Sequence, residues 1–121
     1  MINSKILGSI GENKVVVFLE SLQFKILEKN WRSGHKEIDI IALDKDEIVF
    51  IEVKTRSSKY IEGRQSVGLK KQKLLIAAAN DYILKEDIHF NARFDIAEVI
   101  YKNKQFSINL IRGAFEPFNL T

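Results

Sequence analysis

The chain has 121 residues, 45% of them apolar and 29% charged, with a formal net charge of +3 and no cysteine. That length fits one domain able to bury about two thirds of its unfolded surface, so a core forms without staples, and the missing cysteines exclude disulfides and thiolate metal sites. The longest apolar runs, such as Val15-Val16-Val17-Phe18-Leu19, are too short to span a bilayer, and Met1 to Gly8 carries no signal-peptide pattern, so a cytoplasmic location without a membrane partner is expected.

A first helix is predicted over 4–21, with Ile6, Ile10, Val17 and Phe18 as its apolar positions and Gly8 and Gly11 narrowing one face for close packing. A short strand follows near 24–30. Strands at 36–43 and 47–55 flank the turn-like Asp44-Lys45-Asp46 and form an antiparallel hairpin. Residues 57–68 contain two glycines and little periodicity, which marks a loop. Helical character returns over 69–84, with Leu74, Leu75, Ala78, Tyr82 and Ile83 as the buried stripe. Two more strands, 93–101 and 105–111, surround the turn Lys102-Asn103-Lys104. The order αβββαββ predicts a single α/β domain over 1–121, a mixed sheet with both helices packed on it.

Two of the predicted strands carry acids inside apolar runs, Ile38-Asp39-Ile40-Ile41 and Phe50-Ile51-Glu52-Val53. An ionised group there is costly unless something compensates for it. Alternation along a strand projects Glu37 with Asp39, and Glu52 with Lys54. If the strands are neighbours, three carboxylates and one ammonium meet on one patch, where a hard divalent cation is the natural occupant. The alternative is a set of solvated edge-strand charges. Composition alone yields about two acid-x-Lys triplets, and two occur, Glu12-Asn13-Lys14 and Glu52-Val53-Lys54. Context separates them, because the first falls in a predicted helix and the second at a strand end. Glu12 follows Gly11, so its helix can approach the sheet and aim this carboxylate at Asp39 and Glu52; otherwise it is an exposed helix residue weakly paired with a lysine.

Charge is uneven along the chain. Between Lys54 and Lys73 seven basic residues face one acid, Glu62, for a net +6. Arg56, Lys59, Arg64, Lys70, Lys71 and Lys73 are therefore candidates for phosphate contacts beside the acidic patch; the plain alternative is a solubilising loop and helix start. Gln72 is a further candidate to reach the site from the second helix. Trp31 either stacks a base or packs against the core. His35 could touch substrate but reads rather as a solvent residue, and Asp95 is expected to make a structural hydrogen bond or salt bridge with Arg93 or another base.

Taken together, Gly11-Glu12, Leu27 to Arg32, Glu37 to Ala42, Phe50 to Arg56, Lys70 to Lys73 and Arg93-Phe94-Asp95 resemble the small bacterial UPF0102 proteins. Those are similar to archaeal Holliday-junction resolvases and, more distantly, to the PD-(D/E)XK nucleases. The resemblance implies a restriction-endonuclease-like core and an Mg²⁺- or Mn²⁺-dependent endonuclease acting on nucleic acid, more specifically structured or branched DNA. It implies that Asp39 and Glu52 bind the metal with the Val53 carbonyl as a further ligand, that Glu12 completes the site, and that Lys54 is the nuclease lysine. For a four-way junction it implies a homodimer. Ile38 stands where the name-giving proline would be, and Glu37 is an extra carboxylate of undefined role. Ile76 occupies the place of the tyrosine that exonuclease relatives carry four residues after the glutamine matched by Gln72, which argues against processive end degradation. The competing reading is a catalytically inactive nucleic-acid-binding protein of the same fold, against which the retention of Glu12, Asp39, Glu52 and Lys54 speaks. A structural protein with no nucleic-acid role is the third.

Overall fold

Asn3 starts the first helix by accepting a hydrogen bond from the Ile6 amide at 2.8 Å, which satisfies one of the unpaired donors at a helix N-terminus. The computed structural model describes residues 3–57 and 67–116. Its elements are α1 (Ser4–Ser21), β1 (Lys25–Ser33), β2 (Lys36–Asp44), β3 (Glu47–Ser57), α2 (Leu69–Lys85), β4 (Asn91–Lys102) and β5 (Gln105–Phe115). Helix α1 ends where Gln23 adopts a φ of 74° and Phe24 donates back to the Leu19 carbonyl. Helix α2 ends the same way, through Asp87 at φ 53° and the Ile88 amide on Ile83.

The five strands form one sheet in the order β1-β2-β3-β4-β5. β3 and β4 are parallel and every other neighbouring pair is antiparallel. Parallel neighbours cannot be joined by a tight turn, and α2 supplies the crossover between them. β3 is the central strand, and its run Ile48-Val49-Phe50-Ile51 is buried throughout because both faces are covered. Ile48 and Phe50 pack beneath α2 with Leu75, Ala78 and Tyr82, whereas Val49 and Ile51 pack with Val15 and Leu19 of α1. This is the αβββαββ arrangement of a restriction-endonuclease-like core.

Several local expectations are corrected. The face that α1 buries carries Gly11, Val15 and Leu19, while Ile6 is 50% and Val17 66% exposed. Val17 lines a shallow groove of about 530 Å³ between α1 and β5 with Ile10, Phe18, Phe106 and Ile108. Gly8 faces open space, so only Gly11 serves close packing. On α2, Leu74 is 40% exposed and Ala79 takes its place in the core. β1 runs on through Trp31 to Ser33, and β5 continues past Gly113, whose φ of 58° accommodates a break in the β4–β5 register opposite Asp95.

Asp95 is the charged anchor of this fold. Its carboxylate, fully buried, accepts two hydrogen bonds from Arg93 at 2.9 and 3.0 Å and one from the Gly113 amide at 3.0 Å. Arg93 also reaches Asp44 at the end of β2 and Glu47 at the start of β3, at 2.9 and 2.8 Å. The structural salt bridge expected for Asp95 is present, and it ties four strands together at one end of the sheet.

Candidate metal and nucleic-acid site

The site lies where the sheet forks. Pairing between β2 and β3 stops at Ile40 and Ile51, although Asp39 and Glu52 are the next residues in register. Beyond that point β2 stays with β1 as far as Lys36, while β3 stays with β4 as far as Ser57. Asp39 sits between two residues that face opposite ways, since Ile38 packs on the α2 side and Ile40 on the α1 side. Across from it on β1, Asn30 is in the left-handed region at φ 51°. Regular alternation therefore breaks at Asp39, and its side chain turns into the fork, where Oδ2 accepts the Val53 amide proton at 2.9 Å.

Asp39 and Glu52 are brought together, as expected, and the electrostatics record it. Burial first, then the negative charge of Glu52, push the Asp39 carboxyl up to about 7, against the lowering effect of the Val53 hydrogen bond. A hydrogen bond to Glu52 also favours the protonated form. The Glu52 side chain is only 7% exposed and faces two ammonium groups, Lys54 at 3.6 Å from the same strand and Lys71 at 3.6 Å from α2.

Glu12 approaches from the α1 layer. Its carboxyl is raised by burial, then by the charge of Asp39 and also that of Glu37, while Asn30 and Lys29 act in the opposite sense. What brings it close is Gly11: a Cβ there would overlap Thr55 Oγ1 and stand 3.1 Å from Thr55 Cγ2. Among the described residues, no three histidine or acidic side chains are gathered tightly enough to form a metal cage as they stand. At the fork the carboxyl groups that hydrogen-bond directly are Asp39 and Glu52. Glu37 is engaged elsewhere, in an ion pair with Arg32 across the β1–β2 hairpin at 2.7 Å, and reaches Asp39 only through its charge.

Of the basic candidates, Lys71 turns out to be part of the carboxylate site. It lies four residues before Leu75, on the stripe continued by Ala78 and Tyr82, and that spacing was the sequence signal for it. Lys70 and Lys73 are exposed on the first turns of α2. Arg56 follows Glu52 and Lys54 along β3, and its Nε is buried with no hydrogen-bond partner among the described residues; Thr55 Oγ1 is in the same position. Lys59 and Arg64 lie outside the described residues. Gln72 donates its side-chain amide to the Val67 carbonyl at 2.8 Å, bracing the start of α2. Trp31 packs edge-on against Tyr82 at 5.1 Å, on the core side of the alternatives open to it. His35 is exposed in the β1–β2 turn.

A family model described as "Uncharacterised protein family UPF0102" matches residues 11–99, a span from the Gly11 seam through both strands of the fork and into β4. The chain belongs to the UPF0102 family. A UPF0102 protein of Bacteroides thetaiotaomicron is 42% identical over 112 residues, covering 92% of this chain and 93% of that protein. A UPF0102 protein of Clostridium botulinum strain Kyoto is 46% identical over 119 residues, covering 93% and 96%, and its counterpart in strain Loch Maree is 44% identical over the same length. No helix in the described part of this UPF0102 chain is long and apolar enough to cross a membrane.

The residues at the fork fit a hard divalent cation in donor chemistry. Two carboxyl groups on adjacent strands and the Val53 carbonyl are all oxygen donors, the kind Mg²⁺ and Mn²⁺ prefer. A carboxyl held near 7 by burial beside another carboxylate is also a group that a cation would relieve.

Proposed function

We infer that this UPF0102 protein is a metal-dependent endonuclease that hydrolyses phosphodiester bonds in nucleic acid, with structured or branched DNA as its substrate. The observation that carries this reading is the Asp39–Glu52 carboxyl pair at the sheet fork, with Lys54 and Lys71 both 3.6 Å from Glu52. Asp39, Glu52 and the Val53 carbonyl would hold Mg²⁺ or Mn²⁺, with Glu12 adding negative charge from α1. When bound, such an ion supplies Lewis acidity toward a phosphate oxygen and lowers the pKa of a coordinated water.

The chain's own residues do the remaining work. The Val53 amide fixes the orientation of the Asp39 carboxyl. Lys54, on the same strand face as Glu52, would orient the attacking water or stabilise charge developing on the phosphate. Arg56, Lys70, Lys71 and Lys73, together with Lys59 and Arg64, supply positive charge for the phosphate backbone, which positions a nucleic acid without reading its sequence.

The test is cleavage of junction, flap, single-stranded and duplex DNA by purified protein, in Mn²⁺ and in chelator. Asp39→Ala, Glu52→Ala and Lys54→Ala are expected to abolish metal-dependent cleavage while the circular dichroism spectrum stays that of wild type. Equal nicking by wild type and Asp39→Ala would refute the reading. Salt-sensitive DNA retention with no cleavage under any condition would assign the protein to nucleic-acid binding alone.

A further inference from the structure

Two ammonium groups converge on one carboxylate at the fork, and they are not equivalent. Lys54 is two residues from Glu52 on the same strand, so its backbone cannot move relative to the carboxylate, and its side chain is 31% exposed. Lys71 comes from the first turn of α2, its side chain is 46% exposed, and its flexible stem lets the ammonium leave Glu52 without any backbone change. A divalent cation on Glu52 would face both ammoniums at short range, where repulsion between like charges is large even with substantial dielectric screening. Withdrawal of one lysine relieves that repulsion, and Lys71, the more exposed of the two at 46% against 31%, returns to solvent with less rearrangement.

We propose that Lys71 is a displaceable counter-ion: it neutralises Glu52 before the metal arrives, is expelled when the metal binds, and then contacts a phosphate of the nucleic acid. This inference rests on the metal-site reading above. It makes metal loading and backbone binding mutually reinforcing, because the same charge serves two partners in turn. Lys70, the neighbour of Lys71 in the first turn of α2, is also exposed and carries a second positive charge.

The experiment measures Mn²⁺ affinity by electron paramagnetic resonance, without nucleic acid, for wild type, Lys71→Met, Lys85→Met and Asp39→Asn. Lys85 is in the last turn of α2 and controls for the loss of one positive charge. Lys71→Met is expected to bind Mn²⁺ about fivefold more tightly than wild type, the upper end for releasing a half-exposed ion pair, with Lys85→Met unchanged. Equal Mn²⁺ affinity in wild type and Lys71→Met, with binding lost in Asp39→Asn, would overturn the counter-ion role and leave the metal site standing. No Asp39-dependent Mn²⁺ binding in any variant would overturn both.

A second measurement follows binding of a short DNA duplex against salt, in Ca²⁺ and in chelator. Lys71→Met is expected to reduce the slope of log affinity against log salt by about 0.9 in Ca²⁺ and to leave it unchanged in chelator, where Lys71 stays on Glu52. An equal reduction in both conditions would mean that Lys71 is not released by metal, and the proposal would fail.

Discussion

Asp39 holds its proton in the folded protein up to about pH 7, whereas the ordinary value for this side chain is 3.8. Between those values the folded state binds more protons than the unfolded chain, so the sign is the reverse of a salt-bridged aspartate. Metal-free stability is therefore expected to fall as pH rises from about 4 to about 7, and the contribution of this group is gone above that window. Asp39→Asn keeps an acceptor for the Val53 amide and offers Glu52 a donor, so it should flatten the slope and raise the melting temperature at pH 8 in chelator by roughly 5 °C. Adding Mn²⁺ at pH 8 should raise the melting temperature of wild type and not that of Asp39→Asn. Thermal melts across pH, with and without chelator, check both statements. A flat wild-type profile would mean that the Asp39 carboxyl is not raised by its burial and by Glu52.

At the level of elements, the seam between α1 and β3 decides whether Glu12 belongs to the site. Thr55 is on the β3 face opposite Glu52 and Lys54, and it meets α1 at Gly11 with no room for a Cβ. Gly11→Ala is expected to cost about 1–3 kcal/mol through overpacking and to move Glu12 away from Asp39. Thr55→Ala removes the two nearest side-chain atoms and leaves Cβ at 3.2 Å, so the double variant should recover part of the loss; urea denaturation of the three variants measures it. Additive losses would show that the clash is relieved elsewhere. Gly8, one turn earlier, faces open space, and Gly8→Ala should be neutral to stabilising at that seam.

Across the molecule, one end of the sheet is tied and the other is open. At the tied end, Arg93 links Asp44, Glu47 and Asp95, while Arg93 and Arg112 both lie over the ring of Phe24 at 5.7 and 5.4 Å. At the other, β2 and β3 part beyond Ile40 and Ile51, so Asp39 and Glu52 lie where these two strands no longer pair with each other. A tied end lets β2 and β3 diverge at the other without the sheet coming apart. Arg93→Ala leaves the Asp95 carboxylate buried without its partner and is expected to destabilise the fold by about 3–5 kcal/mol, read as a lower urea midpoint. The double variant with Asp95→Asn should lose less than Arg93→Ala alone. If it loses as much or more, the cost lies in packing around Phe24 and not in the stranded charge.

The element order and the pairing of Asp39 with Glu52 were legible in the chain because each rests on local pattern, whereas the central place of β3 came from the tertiary pairing. Apolar runs of strand length, turn residues at Lys45 and Asn103, and acids set inside apolar strands carry their meaning within a few positions. Which α1 face is buried, the exposure of Val17 and Leu74, and the continuation of β5 past Gly113 were not legible, because each depends on what lies across a sheet from residues distant in sequence. Alternation alone groups Glu37 with Asp39, but the reversal of facing at Asp39 and the Arg32 side chain separate them. Lys71 shows the division most directly. Its place on the α2 stripe is written in the order of residues, yet only the packing of α2 over β3 brings its ammonium to Glu52, since charge acts through distance in space and not along the chain.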